Sequence, residues 1–108
     1  KDWVLRGRIN SCMGFLCKQD SCFTEALEFY LRSSCAFKES GNEWYYAHNL
    51  LNVAECHISL HKYYEADSLL TIAETFDIDS TYYARMIETR GLYFFERQEY
   101  DSALTYFV

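Results

Sequence analysis

The sequence predicts an all-α protein, an array of about three stacked helical hairpins, on two observations. The first is the stretch Asn52 to Glu74, NVAECHISLHKYYEADSLLTIAE, which holds a helix, a tight turn and a second helix. Residues three and four apart lie one above the other on a helix, so Val53, Ala54 and His57 share a face of the first, and Ala66, Leu69, Leu70 and Ala73 a face of the second. Tyr63 follows the polar pair His61-Lys62 and plugs the corner, and the small Ala54 and Ala66 mark where two backbones approach. The second observation is that this hairpin recurs. Gly14 precedes Phe23 by nine residues, Ala26 by twelve and Tyr30 by sixteen; Gly91 precedes Tyr100, Ala103 and Phe107 by the same steps, as Ala54 does Tyr63, Ala66 and Leu70. Successive units lie 40 and then 37 residues apart. A sustained period of this kind is the mark of repeated supersecondary units, each of which needs its neighbours to bury its apolar face.

Each element has its own local reasons. A short polar lead opens a helix to about Gln19, with Trp3, Leu5, Ile9, Met13, Leu16 and Cys17 on or near its buried face. Asp20-Ser21 turns the chain, and Thr24 is expected to cap the next helix with Glu25 at its positive end. That helix runs through Ala26, Phe29, Tyr30, Ser33 and Phe37 and stops near Ser40, where Gly41 supplies a left-handed residue and Asn42 caps the third helix. From Glu43 to Leu60 this third helix carries apolar residues on more than one face, among them Trp44, Tyr45, Ala47, Leu50, Val53 and Ile58, as a helix between neighbours should. The next runs from Tyr64 to about Thr75, and Phe76-Asp77-Ile78-Asp79 breaks the rhythm. Asp79 or Ser80 caps a helix from Tyr82 to Glu96, and Asp101 caps a last one bearing Ala103, Leu104 and Phe107. The units fall at about 3–41, 42–78 and 79–108, the last incomplete, within one domain over 1–108.

Composition narrows the function classes. Half of the 108 residues are apolar and 19% are aromatic, ample for one folded domain. Sixteen acidic against ten basic side chains leave a net charge of -6, which argues against phosphate-backbone binding and so against nucleic acid as a partner of this segment. No apolar run approaches the roughly 20 residues that cross a bilayer, so no membrane role is expected. Cys12, Cys17, Cys22, Cys35 and Cys56 contain no pair at zinc-ligand spacing; they read as small buried hydrophobes in a reducing, cytoplasmic compartment, with no metal and no cofactor. His48, His57, Asp77 and Asp79 are the ingredients of an enzyme, but His57 faces its own hairpin as a buried, hydrogen-bonded histidine and the aspartates suit turns and caps. No phosphate loop or nucleophile elbow occurs, and no catalytic residue is assigned. Lacking an initiator Met and ending inside a helix, the chain reads as a piece of a larger protein.

The ruler of small residue, corner aromatic, alanine and large apolar residue resembles the tetratricopeptide repeat family over roughly residues 8 to 108. The family's usual period is about 34 residues, so the resemblance is to a longer-period variant; its proline at the repeat end is missing, since the chain has no proline, and Asn10, Leu50 and Ile87 stand where an early aromatic is common. The resemblance implies a right-handed α-α superhelix whose first helices line a concave groove. It nominates Arg8, Ser11, Phe15 and Lys18 in the first unit, His48, Leu51, Asn52 and Glu55 in the second, and Arg85, Glu88 and Leu92 in the third. A protein or peptide ligand is the expected partner, in a larger signalling or regulatory protein; the alternative is a passive scaffold segment of a complex, and an enzyme or metal-binding domain is remote. Ser11 and Phe15 stand where a chaperone-tail clamp has Lys and Asn, which argues against that subtype. Unfinished repeat ends are expected to self-associate, while Glu55→Lys or Arg85→Glu is expected to spare stability and alter binding.

Overall fold

In the computed structural model, residues 2–99, 102, 104 and 105 are described. Among them five helices succeed one another: α1 (Trp3–Gln19), α2 (Phe23–Ser40), α3 (Glu43–Ser59), α4 (Tyr63–Ala73) and α5 (Ser80–Glu96). The described residues form an all-helical fold and contain no strand. Among them, no helix is long and apolar enough to cross a membrane. The expected cap at Asp101 and the corner and face residues Tyr100, Ala103 and Phe107 lie outside the described residues.

One turn is used three times. Ser21, His61 and Gln98 are left-handed, with φ of 60°, 61° and 65°. In each case the next amide reaches back five residues: Cys22 N to Cys17 O, Lys62 N to His57 O and Glu99 N to Phe94 O, all at 2.8 Å. The left-handed residue itself donates three back, to Lys18, Ile58 and Phe95. This closure satisfies carbonyls that a helix end otherwise leaves unpaired, and at Ser21 and His61 it joins two packed helices through three residues. The three turns stand 40 and 37 residues apart, the period of the ruler.

This turn also corrects one expected cap. Because Ser21 takes the left-handed position, α2 starts at Phe23 behind Cys22, which makes no side-chain cap, and Thr24 lies inside the helix. α4 begins one residue earlier than expected, at Tyr63, and ends at Ala73, and α5 begins at Ser80, not Tyr82, while the caps of α3 and α5 fall on the residues expected. Gly41 has φ of 73°, Asn42 Oδ1 accepts from Tyr45 N at 3.0 Å, and Asp79 Oδ1 accepts from Tyr82 N at 2.7 Å.

Each helix packs on the next, and α5 also reaches back to α3. One cluster joins Ala47, Leu51, Ala54 and Ile58 of α3, Ala66, Leu70 and Ala73 of α4, and Tyr82 and Tyr93 of α5. A second joins Ala26, Leu27 and Tyr30 of α2 to Val53 and Cys56 of α3. Alanines sit at the crossings because two backbones pack closely only where the side chains between them are short. Arg90 is buried too, and Asp67 and Glu74 of α4 take its guanidinium at 2.6 and 3.1 Å, which offsets the desolvation of its charge.

The first helix reverses the expected orientation. Its buried residues are Gly7 and Gly14, while Leu5, Ile9, Met13 and Leu16 are exposed. The cause lies in α2, whose Phe37 ring leaves no room for a Cβ at Gly7 and whose Tyr30 ring lies close against Gly14. The cysteines are likewise not uniformly core: only Cys56 is buried, and Cys12 and Cys35 are exposed.

Candidate functional site

Helices α1, α3 and α5, with Tyr30 of α2, enclose an open cleft of about 920 Å3. Of the nominated residues, Phe15, Lys18, Asn52, Glu55, Arg85, Glu88 and Leu92 line it. Arg8, Ser11 and His48 line a smaller adjoining cleft of about 290 Å3, to which Asn52 and Arg85 also contribute. Leu51 does not belong to either. It is fully buried in the α3–α4–α5 core, because the helix in the middle of the array has neighbours on both sides.

Across the floor of the cleft the nominated polar residues bind one another. Glu55 takes Lys18 Nζ on Oε2 at 2.7 Å and Arg85 Nη2 on Oε1 at 3.0 Å. Arg85 also donates to Asn52 Oδ1 and, at 3.0 Å, to the His48 carbonyl. Asn52 leads to the buried Asn49, whose side-chain amide donates to Tyr30 O at 2.8 Å and Ser34 Oγ at 2.7 Å. Ser11 Oγ is shared between Asn49 Oδ1 at 3.2 Å and Ser33 Oγ at 2.6 Å, and Ser33 donates to Gly7 O at 2.7 Å. One polar chain therefore runs from α1 through α2 and α3 to α5. Its members hold the helices in position, so Glu55 and Arg85 are structural as well as solvent-facing, and the expectation that charge reversal there spares stability is replaced.

The electrostatics follow from this packing. Burial, then the nearby Arg85 charge, lowers the pKa of His48, whose Nε2 is buried without a hydrogen-bond partner. His57 is lowered by burial as well, and its buried Nδ1 has no hydrogen-bond partner. Burial pushes Tyr30 up to about 12. The Tyr82 amide, then the Trp44 indole at 3.0 Å, holds Asp79 below the usual carboxylate range. Among the described residues no group of three His, Cys, Asp or Glu side chains stands in a geometry that holds a metal ion.

Sequence reasoning missed Tyr30, Tyr83 and Ile87 as cleft residues and Asn49, Ser33 and Arg90 as buried polar ones. The repeat spacing carried a signal for part of this. Arg8, His48 and Arg85 occupy one position in successive units, so contact between His48 and Arg85 follows from stacking. Comparison with protein-family models, curated proteins and solved structures finds no match to this chain.

Proposed function

We propose that this chain is a helical-repeat interaction module of the tetratricopeptide type, its units stacked as a right-handed superhelix, and that its main cleft takes an extended or helical segment of a protein partner. The observation that carries this reading is the threefold use of one turn at the spacing of the ruler, with α1, α3 and α5 lining one cleft. Phe15 and Leu92 offer apolar contact area, which supplies affinity, and polar groups around them supply register. Lys18 and Arg85 are both held by the one carboxylate of Glu55, which fixes their positions and balances one of their two charges. The exposed Glu88 stands on the same cleft outside that group, and it suits a segment with an apolar anchor and a neighbouring Lys or Arg. In the parent protein such a module serves signalling or regulation from the cytoplasm, by bringing a partner to whatever it is joined to.

The test is selection of random 16-residue peptides displayed on phage against the immobilised chain and against a Phe15→Asp, Glu88→Lys variant. Both residues are exposed, so the variant keeps its fold, which circular dichroism verifies. Enriched peptides carrying an aromatic or aliphatic anchor beside a basic residue, and lost on the variant, support the reading. Peptides that bind both proteins equally place the working surface elsewhere.

A further inference from the structure

Charge is not shared evenly between the two adjoining clefts. The main cleft is lined by Lys18 and Arg85 and by Glu55 and Glu88, so its cations and carboxylates balance. The smaller cleft is lined by Arg8 and Arg85 and, among the described residues, by no carboxylate, in a chain whose net charge is -6. Arg8 is exposed, and among the described residues it has no ion-pair or hydrogen-bond partner. Arg85 shares the Glu55 carboxylate with Lys18, so that group of three keeps one positive charge. Asp79 does not line the smaller cleft, and its two oxygens already accept from the Tyr82 amide at 2.7 Å and the Trp44 indole at 3.0 Å.

We infer that the smaller cleft is a subsite for an acidic residue, taking the side-chain carboxylate of an Asp or Glu in the same partner segment whose apolar anchor and basic residue occupy the main cleft. The inference rests on the main cleft being a peptide groove, and it adds the order of charges along the ligand. The two clefts share Asn52 and Arg85, so one chain can cross both. Arg8 belongs to α1 and Glu88 to α5, with α3 between them. Two interhelical spacings of about 8–10 Å therefore part the charged ends, which an extended segment covers in roughly six residues. At one end the planar donor fork of Arg8 is open to a carboxylate, and a basic residue there would meet like charge. At the other end Glu88 reverses both preferences. A doubly charged phosphate fits less well, because it wants a second open cation and Arg85 already donates to Glu55, Asn52 and the His48 carbonyl. A free carboxylate is not held either, since an exposed ion pair changes affinity by no more than about fivefold. The acid acts only as part of a segment anchored next door.

The experiment runs the same phage library against the unsubstituted chain and an Arg8→Glu variant, then measures the affinities of enriched peptides by fluorescence anisotropy. Peptides from the unsubstituted chain are expected to carry Asp or Glu about six positions from their basic residue. On Arg8→Glu that position should turn to Lys or Arg. In a double-mutant cycle, Arg8→Gln and replacement of the peptide acid by its amide should each weaken binding about fivefold, and both together by about the same fivefold. Arg6→Gln, on the same helix but lining neither cleft, should leave affinity unchanged. Peptides that are lost on the Phe15→Asp, Glu88→Lys variant yet carry no acid at that spacing, or that bind Arg8→Gln as tightly as its parent, would overturn the inference and leave the main cleft as a peptide groove. No enrichment on the unsubstituted chain would overturn both. Displacement of the peptide by low-millimolar inorganic phosphate at constant ionic strength would overturn the inference by revealing a general anion site. A concentration-dependent dimer that Arg8→Glu abolishes would do so by assigning the carboxylate to a second copy.

Discussion

Replacing Gly7 by Ala sets two known effects against each other, and the structure decides between them. In a helix interior Ala is favoured over Gly by about 0.8–1.0 kcal/mol. At Gly7, however, a Cβ would lie 2.3, 2.5 and 2.7 Å from three atoms of the Phe37 ring. That ring is buried and stacked on Tyr45 with 4.9 Å between centroids, so it has no open space to turn into. Nor is α1 free to back away, because Ser33 Oγ donates to Gly7 O at 2.7 Å and ties the two backbones together. Overpacking of a tight contact costs about 1–3 kcal/mol, and three such approaches to a fixed ring belong at the upper end. The net expectation is a loss of about 2 kcal/mol, which lowers the urea midpoint by roughly 1 M if the unfolding slope is about 2 kcal/mol/M. Urea titration followed by circular dichroism at the helix band measures it. Two controls sharpen the result. Gly14→Ala meets the Tyr30 ring only at 3.0 Å and should change stability by less than about 1 kcal/mol. In a Phe37→Leu background the Gly7→Ala change should cost far less, a coupling of about 2 kcal/mol. A Gly7→Ala midpoint equal to or above that of the parent would refute the close packing of α1 on α2.

Three further outcomes are expected. Ser21→Gly and Gln98→Gly should each stabilise by about 0.5–1 kcal/mol, since a left-handed residue with a Cβ costs about 1–2 kcal/mol and glycine gives back part as chain entropy; calorimetric melting points that fall instead would mean that the turns are not left-handed. Glu55→Lys should lose about 1–3 kcal/mol, more than an exposed ion pair is worth, because it leaves three cations together with Asn52 and the His48 carbonyl; an unchanged midpoint in the same urea assay would remove Glu55 from the framework. Acidification should destabilise the fold from about pH 6.5 downward. His48 and His57 both have pKa values lowered from 6.5 in the folded chain, so below that pH the unfolded chain binds protons that the folded chain resists, and stability falls until the folded histidines titrate as well. His48→Gln, His57→Gln protein followed from pH 7.5 to 5 should show a shallower slope, and an identical slope would assign the acid sensitivity to other groups.

Much of the fold was legible because backbone requirements leave marks in single residues. Gly41 and Asn42 end one helix and start the next, and Asp79 opens α5, through conformations and hydrogen bonds that few other residues provide. The hairpin turns were visible as intervals but not as geometry. Ser21, His61 and Gln98 have no shared chemistry that announces a left-handed conformation, and the misplaced Thr24 cap came from that. The cleft was legible as a set of positions, since ten of the eleven nominated residues line one of its two parts, and Leu51 was lost to the core. The pattern did not reveal that Lys18, Asn52, Glu55 and Arg85 satisfy one another.

The reversed face of α1 shows why hydropathy alone misleads in a repeated fold. The helix α3 has two kinds of neighbour to satisfy, its hairpin partner α4 and the second helix of the unit before it, α2. The hairpin crossing wants small residues, and the other contact wants large ones. In α3 both faces are filled, by Ala47 and Ala54 on one side and Val53 and Cys56 on the other, so either reading finds core. In α1 the two demands separate. Gly7 and Gly14 take the hairpin crossing under Phe37 and Tyr30, and the large residues remain on the face where α3 and α5 each meet a preceding helix. The hydrophobic stripe was expected on a buried face, and among the described residues it is exposed. The glycines, seven residues apart and thus two helical turns along one face, were the mark of the hairpin crossing.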